Sequence, residues 1–311
     1  MRVKPKKSLG QHFLANDGIA QRIAEALVFA EQAGTHEVVP EAPLVCELSK
    51  KTHGVGAETS SVCNLSMTAH DPGPKASPAC ESDKPAHGVS GKTQVLEVGC
   101  GTGALTKHLL RRGDILLKGI EIDGESIAYL RENLPEIMPR LYEADFLKAD
   151  LRKIFPEGDF CVIGNFPYNI SSQIFFKILD YKDDIPQVVG MLQKEVAERL
   201  ASGPGNKSYG ILSVLLQAWY DIEYLFTVGE HEFIPPPKVK SAVIRLQRNR
   251  RTELGCDETK FKQVVKAAFN QRRKTLRNSL KPLGIEPPEQ FAGLRPEQLG
   301  VEDFISLTKG I

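Results

Sequence analysis

Four adjacent residues, Asn165-Phe166-Pro167-Tyr168, stand where an apolar run at 160–164 ends. They put a carboxamide, a ring with a fixed φ and a phenol side by side. An amino group on a purine is a poor nucleophile, because its lone pair is delocalised into the ring. Two acceptors set against its N–H bonds pull the nitrogen toward a tetrahedral shape and aim the lone pair. The Asn165 side-chain oxygen and a backbone carbonyl at Phe166 or Pro167 are acceptors of that kind, and proline fixes the turn that presents the carbonyl. Tyr168 offers a flat face to a base drawn out of its stack. No strong general base is required, since the proton leaves once the nitrogen is cationic and water can take it. Positioning and electrostatics would then carry the catalysis. Alone, the same tetrapeptide also fits a tight turn between strand and helix, with Ser171 as the helix N-cap.

A second cluster lies upstream, at Glu97-Val98-Gly99-Cys100-Gly101-Thr102-Gly103. It follows an apolar strand pattern and opens a helix. Glycines there let the backbone approach a ligand closely, and the helix N-terminus favours a carboxylate. A plain structural turn, a nicotinamide site and an S-adenosylmethionine site all fit such a loop. The G-x-G-x-G spacing, and Glu97 two residues before the first glycine, favour S-adenosylmethionine, with Glu97 holding the methionine amino end directly or through water. Glu121 ends the next strand, placed to accept from two ribose hydroxyls. Asp145 follows the third strand, where a carboxylate accepts from the adenine amino group. Each alone fits a cap or turn residue; their order along the chain gives them weight.

The elements that must position these residues alternate. Strands are expected at 94–98, 116–122, 141–144, 160–164 and 187–192, and helices at 105–112, 124–133, 171–179 and 194–202. Such alternation argues for an α/β, doubly wound, mostly parallel sheet. A helix over 211–220 and two strands, 224–228 and 241–247, follow. The proline-rich loop 233–238 between the two strands suggests a closing hairpin. Beyond about 255 the pattern is purely helical. A short amphipathic helix is expected from Ile19 to about Ala30.

The 311 residues are 41% hydrophobic and 25% charged, ordinary for a globular chain, and the net charge of +1 announces no partner. The distribution says more. Between 260 and 281 there are eight basic residues and no acidic one. Phe261, Val264, Val265, Ala268 and Leu276 can line one helical face there, and Lys262, Lys266, Arg273 and Arg277 another that meets phosphates. The N-terminus is basic too, with Arg2, Lys4, Lys6 and Lys7. No apolar run is long enough for a membrane helix, no signal peptide is evident, and no CxxC pair occurs among the six cysteines, so a reduced cytoplasm is the expected compartment. His108 and His231 read as ordinary surface or edge residues, Cys100 and Cys161 as small core fillers, and Trp219 with Tyr220 as core.

Residues 31–92 differ in composition and contain a repeat. His36, His53, His70 and His87 fall 17 apart, as do Cys46, Cys63 and Cys80. Histidine and cysteine are metal-ligand types, but the spacing matches no compact zinc module, and no unit can bury a core. A duplicated linker forces the same register, so a disordered surface insertion without metal is expected.

Taken together, Lys7-Ser8-Leu9-Gly10-Gln11-His12-Phe13-Leu14, 97–103, 165–171, 233–243 and 269–280 resemble the ribosomal RNA adenine dimethyltransferases, the KsgA/Dim1 family. The likeness covers nearly all of the chain except about 31–92. It implies a Rossmann-like methyltransferase domain at 1–250, carrying the insertion, and a small all-helical RNA-binding domain at 251–311. It implies N6,N6-dimethylation of two adjacent adenines near the 3′ end of small-subunit rRNA, a role in small-subunit biogenesis, and a monomer acting in the cytoplasm. Carried over by motif, the cofactor contacts are His12, Leu14, Gly99, Glu121, Asp145 and Asn165. The catalytic set is Asn165, Phe166, Pro167, Tyr168 and Phe233, with Tyr168 and Phe233 sandwiching the base. Two residues depart from the pattern: His12 stands where many members have Asn, and Phe166 where many have Leu or Ile. Macrolide-resistance methyltransferases, which act on large-subunit rRNA, share the cofactor and tetrapeptide motifs; the 269–280 tail favours the small-subunit branch. A binding factor that inspects immature small subunits is a further alternative.

Overall fold

Residues 94–98 lack polar alternation, the pattern of a strand covered on both faces, and they lie inside the sheet with a strand on either side. The computed structural model describes residues 3–29 and 91–310. Its strands are β1 Phe13–Leu14, β2 Thr93–Val98, β3 Ile115–Glu121, β4 Leu141–Glu143, β5 Phe160–Asn165, β6 Gln187–Gln193, β7 Tyr220–Val228, β8 Phe233–Ile234 and β9 Ser241–Arg248. Its α-helices are α1 Asp17–Glu25, α2 Thr106–Leu110, α3 Gly124–Asn133, α4 Leu151–Ile154, α5 Ser171–Asp180, α6 Lys194–Ala201, α7 Ile211–Gln217, α8 Glu258–Asn270, α9 Leu276–Ser279, α10 Glu289–Ala292 and α11 Val301–Lys309. Every one of these strands and helices belongs to one compact unit. The repeat, and the disorder expected of it, lie outside the described residues except for Gly91 and Lys92.

Seven strands form one sheet in the order β4-β3-β2-β5-β6-β9-β7. The first five are parallel, while β9 runs antiparallel to both β6 and β7. This is the doubly wound α/β sheet expected from the alternation. The late strands do close it, but not as a simple hairpin. Within their connection β8 leaves the sheet and pairs antiparallel with β1, Leu14 opposite Phe233 and Phe13 opposite Ile234. The expected helix over 211–220 stops at Gln217, because Tyr220 already pairs with Arg248 as the first residue of β7. Trp219 and Tyr220 are both buried, as expected of core residues.

The helices after 251 share their apolar core with the sheet. Phe261, Val264, Val265 and Ala268 of α8 belong to the same buried cluster as Leu215, Leu216 and Trp219. Asp257 caps α8 by accepting from the Lys260 N–H at 2.7 Å. The helix ends at Asn270, so Leu276, expected on its apolar face, is buried from a separate helix, α9. Among the described residues no helix is long and apolar enough to cross a membrane.

Candidate active site

From β2 the chain steps outward to β3 and β4 on one side, then returns to β5 on the other. Such a reversal leaves a crevice at the carboxyl ends of the strands. A cavity of about 240 Å³ opens there, walled by residues after β2, β3, β4 and β5 and by residues 8–13.

Gly99 and Gly103 have φ of +74° and +76°. A Cβ on Gly103 would sit 2.2 Å from Leu134 Cδ1, so glycine there lets the loop pack on the end of α3. A Cβ on Gly99 would meet nothing within 4 Å, so glycine there serves the backbone angle and leaves the cavity wall bare. Glu121 lines the cavity with its carboxylate tightly held. Oε2 accepts from the Gly101 N–H at 2.8 Å, and Oε1 from the Ile122 and Asp123 N–H groups at 2.9 Å each. Burial pushes its pKa up against the pull of those three donors. Asp145 accepts from the Leu147 N–H at 2.9 Å through Oδ1 and turns toward the same cavity. Apolar wall is supplied by Phe146 and by Ile122, which is 54% exposed.

Glu97, expected to hold the methionine amino end directly or through water, does not reach the cavity directly. It is 1% exposed and does not line the cavity, so it offers a ligand no direct contact in this arrangement. Val98 lines the cavity and Glu97 does not, because alternate residues of β2 face opposite sides of the sheet. The nearest polar neighbours of the Glu97 carboxyl are the Thr106 hydroxyl and the Cys100 thiol. Burial pushes the Glu97 carboxyl up to about 7 against the pull of the Thr106 hydroxyl and the Cys100 thiol, and the charge of Glu121 adds to the rise.

The other wall is assembled from distant segments. Asn165 Nδ2 donates to the His12 carbonyl at 2.9 Å, which leaves Oδ1 as the free end of the amide. Phe166 is fully buried and anchors the turn. Its ring meets Phe175 edge-on at 5.8 Å and lies against Gly190, where a Cβ would sit 2.5 Å from it. The Pro167 carbonyl accepts from the Ile170 N–H at 3.2 Å. Tyr168 shares a hydrogen bond with the Ser241 hydroxyl, and its ring stacks on His12 with centroids 5.2 Å apart and planes at 28°. The His12 Nδ1 lies 2.9 Å from the Pro235 carbonyl, which can only accept, so Nδ1 carries a proton.

The structure therefore gathers His12, Gly99, Glu121, Asp145, Asn165, Phe166, Pro167 and Tyr168 around one cavity. Leu14 and Phe233 stand apart from its wall. Leu14 is buried, and Phe233 is 1% exposed, its strand paired to β1. In this arrangement the Phe233 ring faces protein, and Ile234 is the exposed residue of that pair.

Several contributors carry no signal in the sequence. Asp123 holds the N-terminal segment by an ion pair with Lys6 and a bond from Gln11 Nε2 at 3.2 Å. Burial raises the Asp123 carboxyl, but Lys6, Gln11 and Ser126 outweigh it and leave the pKa below the usual value. Its position before α3 reads from sequence only as a helix cap. Ser241, which pins Tyr168, lies within the 233–243 segment, but nothing in that segment assigns it a role. The basic tail also looks different in three dimensions. Arg272 donates to the Lys207 carbonyl and lies 3.9 Å from Glu297, and Arg277 pairs with Glu289 at 3.0 Å, so the acids missing from 260–281 arrive from other segments. His108, expected at the surface or an edge, is buried against Asp17 at 2.8 Å, and Cys100 and Cys161 are buried as expected.

Comparison with known proteins bears on these residues. Residues 86–298 match the family model described as ribosomal RNA adenine dimethylase. The chain is 52% identical to ribosomal RNA small subunit methyltransferase A of Parabacteroides distasonis, over 98% of this chain and 93% of that protein. It is 50% identical to the protein of the same name in Bacteroides thetaiotaomicron, over 99% of this chain and 94% of that one. Among solved structures, a dimethyladenosine transferase from Plasmodium falciparum aligns with a TM-score of 0.57 at 26% identity, covering 69% of this chain and 88% of that one. The 23S rRNA methyltransferase ErmE aligns with a TM-score of 0.51 at 26% identity, covering 70% and 92%.

Proposed function

We propose a function on the premise that the chain belongs to the ribosomal RNA adenine dimethylase family. It transfers methyl groups from S-adenosylmethionine to N6 of adenine in small-subunit rRNA, two to each of two adjacent adenines near the 3′ end. The observation that carries this reading is the fixed amide of Asn165. With Nδ2 committed to the His12 carbonyl, Oδ1 is the atom left to receive an amino N–H. The Pro167 carbonyl already accepts from the Ile170 N–H, and in this reading the Phe166 carbonyl is the second acceptor. Between them the N6 lone pair is aimed along one line, and water takes the proton released.

The residues present fit the cofactor. Gly99 leaves its wall bare, Ile122 and Phe146 supply an apolar slot for an adenine ring, and Asp145 offers its amino group an acceptor. Glu121 would hold the ribose. Three of the carboxylate's roughly four acceptor positions are taken by backbone N–H groups, so engaging two hydroxyls means releasing one of them. His12 and Leu14 contribute backbone. When bound, S-adenosylmethionine supplies an electrophilic methyl group. Tyr168 gives the base one stacking face, and Phe233 gives the second after turning outward.

In this reading residues 251–311 form the RNA-binding domain. The Lys266, Arg273 and Lys274 side chains are exposed there to meet phosphates. The protein works as a monomer in the cytoplasm on an assembling small subunit. The test is to incubate it with unmethylated small subunits and S-adenosylmethionine and to map the product by primer extension. Stops at two adjacent adenines near the 3′ end are expected. No stop there, or methylation only when unmethylated large subunits are supplied in a parallel incubation, overturns the proposal.

A further inference from the structure

Both rings meant for the base are already engaged in the described state. Phe233 is buried, and Tyr168 is covered by His12 at 5.2 Å. A base inserted between two parallel rings needs them about 7 Å apart, twice the contact distance of ~3.5 Å. A base therefore cannot slide between His12 and Tyr168, and one ring must leave. His12 and Tyr168 line the same cavity, so the stack stands in its wall. Tyr168 is the fixed partner, because Ser241 holds its hydroxyl and Ser171 donates to its carbonyl at 3.3 Å. The His12 side chain is half-buried and held by a single hydrogen bond, to the Pro235 carbonyl. That bond ties it to the loop after Phe233, while its own backbone leads into β1, the partner strand of Phe233. One residue thus touches Asn165, Tyr168 and the 233–238 loop.

Resting on the reading of adenine as the target, we propose that His12 is a positioning residue of the base site: its imidazole stands on Tyr168 in the place the adenine takes. Arrival of the base displaces the ring, breaks the bond to Pro235 and releases the 233–238 loop, so that Phe233 can close on the base from the other side. The exchange selects among bases. A purine covers more of the phenol ring than an imidazole does and gains stacking in the swap. A pyrimidine gains less.

The test uses the full chain and a small-subunit 3′-end RNA hairpin carrying 2-aminopurine at one target position, with binding read by fluorescence in the absence of cofactor. His12→Ala removes both the stack and the bond, so the RNA Kd is expected to tighten about tenfold. His12→Asn keeps a donor for Pro235 but no ring, and is expected to tighten binding by less. In a Tyr168→Ala background the His12→Ala gain disappears, because there is no ring left to uncover. A residue with a merely structural role weakens binding when removed. Unchanged or weaker binding in both His12 variants overturns the proposal, as does a gain that persists without Tyr168. Thermal unfolding of each variant identifies one that fails to fold, and the other then decides. Absence of methylation by the unaltered protein counts against the proposed function only, since the binding measurement needs no turnover.

Discussion

Where β2 and β3 end, Glu121 takes its hydrogen bonds from Gly101, Ile122 and Asp123, all within 20 residues of it and all on the backbone. Where β5 ends, Asn165 reaches the His12 carbonyl across 153 residues, and Tyr168 reaches Ser241 across 73. The first wall is a product of the sheet: once β2 and β3 pair in register, its donors and acceptors are in place. The second is a product of docking, in which the N-terminal segment, the β5 turn and the loop before β9 must meet. Sheet-built geometry resists small perturbations, because a ladder of bonds fixes it. Docked geometry rests on a few contacts, and so can rearrange when a large substrate arrives.

The sharpest way to break this contrast is Asn165→Ala. Losing a preorganised acceptor should lower kcat on the order of 10²–10³-fold, while the cofactor Kd rises only severalfold. Single-turnover rates and calorimetric titration measure the two; a cofactor affinity that collapses as far as turnover would make the walls one unit. A second probe reaches beneath the sheet-built wall. Glu97 holds its proton to about 7 in the folded chain, against 4.5 for the ordinary group. The folded state therefore binds the proton more tightly than the unfolded one. That stability is complete below about 4.5 and is lost as pH rises through about 7, by on the order of 3 kcal/mol. Glu97→Gln should flatten the decline, seen as a smaller loss of Tm between about pH 5 and about pH 8 than in the parent. A decline of equal size in both proteins would assign it to other groups. The gentlest probe is Gly10→Ala. Gly10 has a φ of +61°, and its Cβ would lie 2.5 Å from Asn169 Oδ1. The change should cost about 1–3 kcal/mol and raise the RNA KM more than the cofactor KM, because it pries the N-terminal segment from the β5 turn. Equal rises in both KM values would show that the sheet-built wall depends on that docking.

The alternation of 94–98, 105–112 and 116–122 was enough to give the parallel sheet, because strand and helix periods are local properties of the chain. The order of Gly99, Glu121, Asp145 and Asn165 was enough to place them together, because a doubly wound sheet brings successive strand ends to one edge. That order could not show that Glu97 lies buried behind the cavity wall, where only the water-mediated form of its expected role is open to it. It could not show that Leu14 and Phe233 pair out of view of the cavity, that Ser241 pins Tyr168, or that Glu289 and Glu297 answer the bases of 260–281.

What the sequence by itself determined is the sheet, the crevice and the residue types along it, all consequences of near-neighbour patterns. What only the tertiary structure decided is which atoms those residues have left to offer. Asn165 keeps its oxygen because His12 takes its nitrogen, Glu121 is nearly full, and His12 occupies the face of Tyr168. Hydrogen-bond capacity is finite, and partners far away in the chain consume it before any ligand arrives.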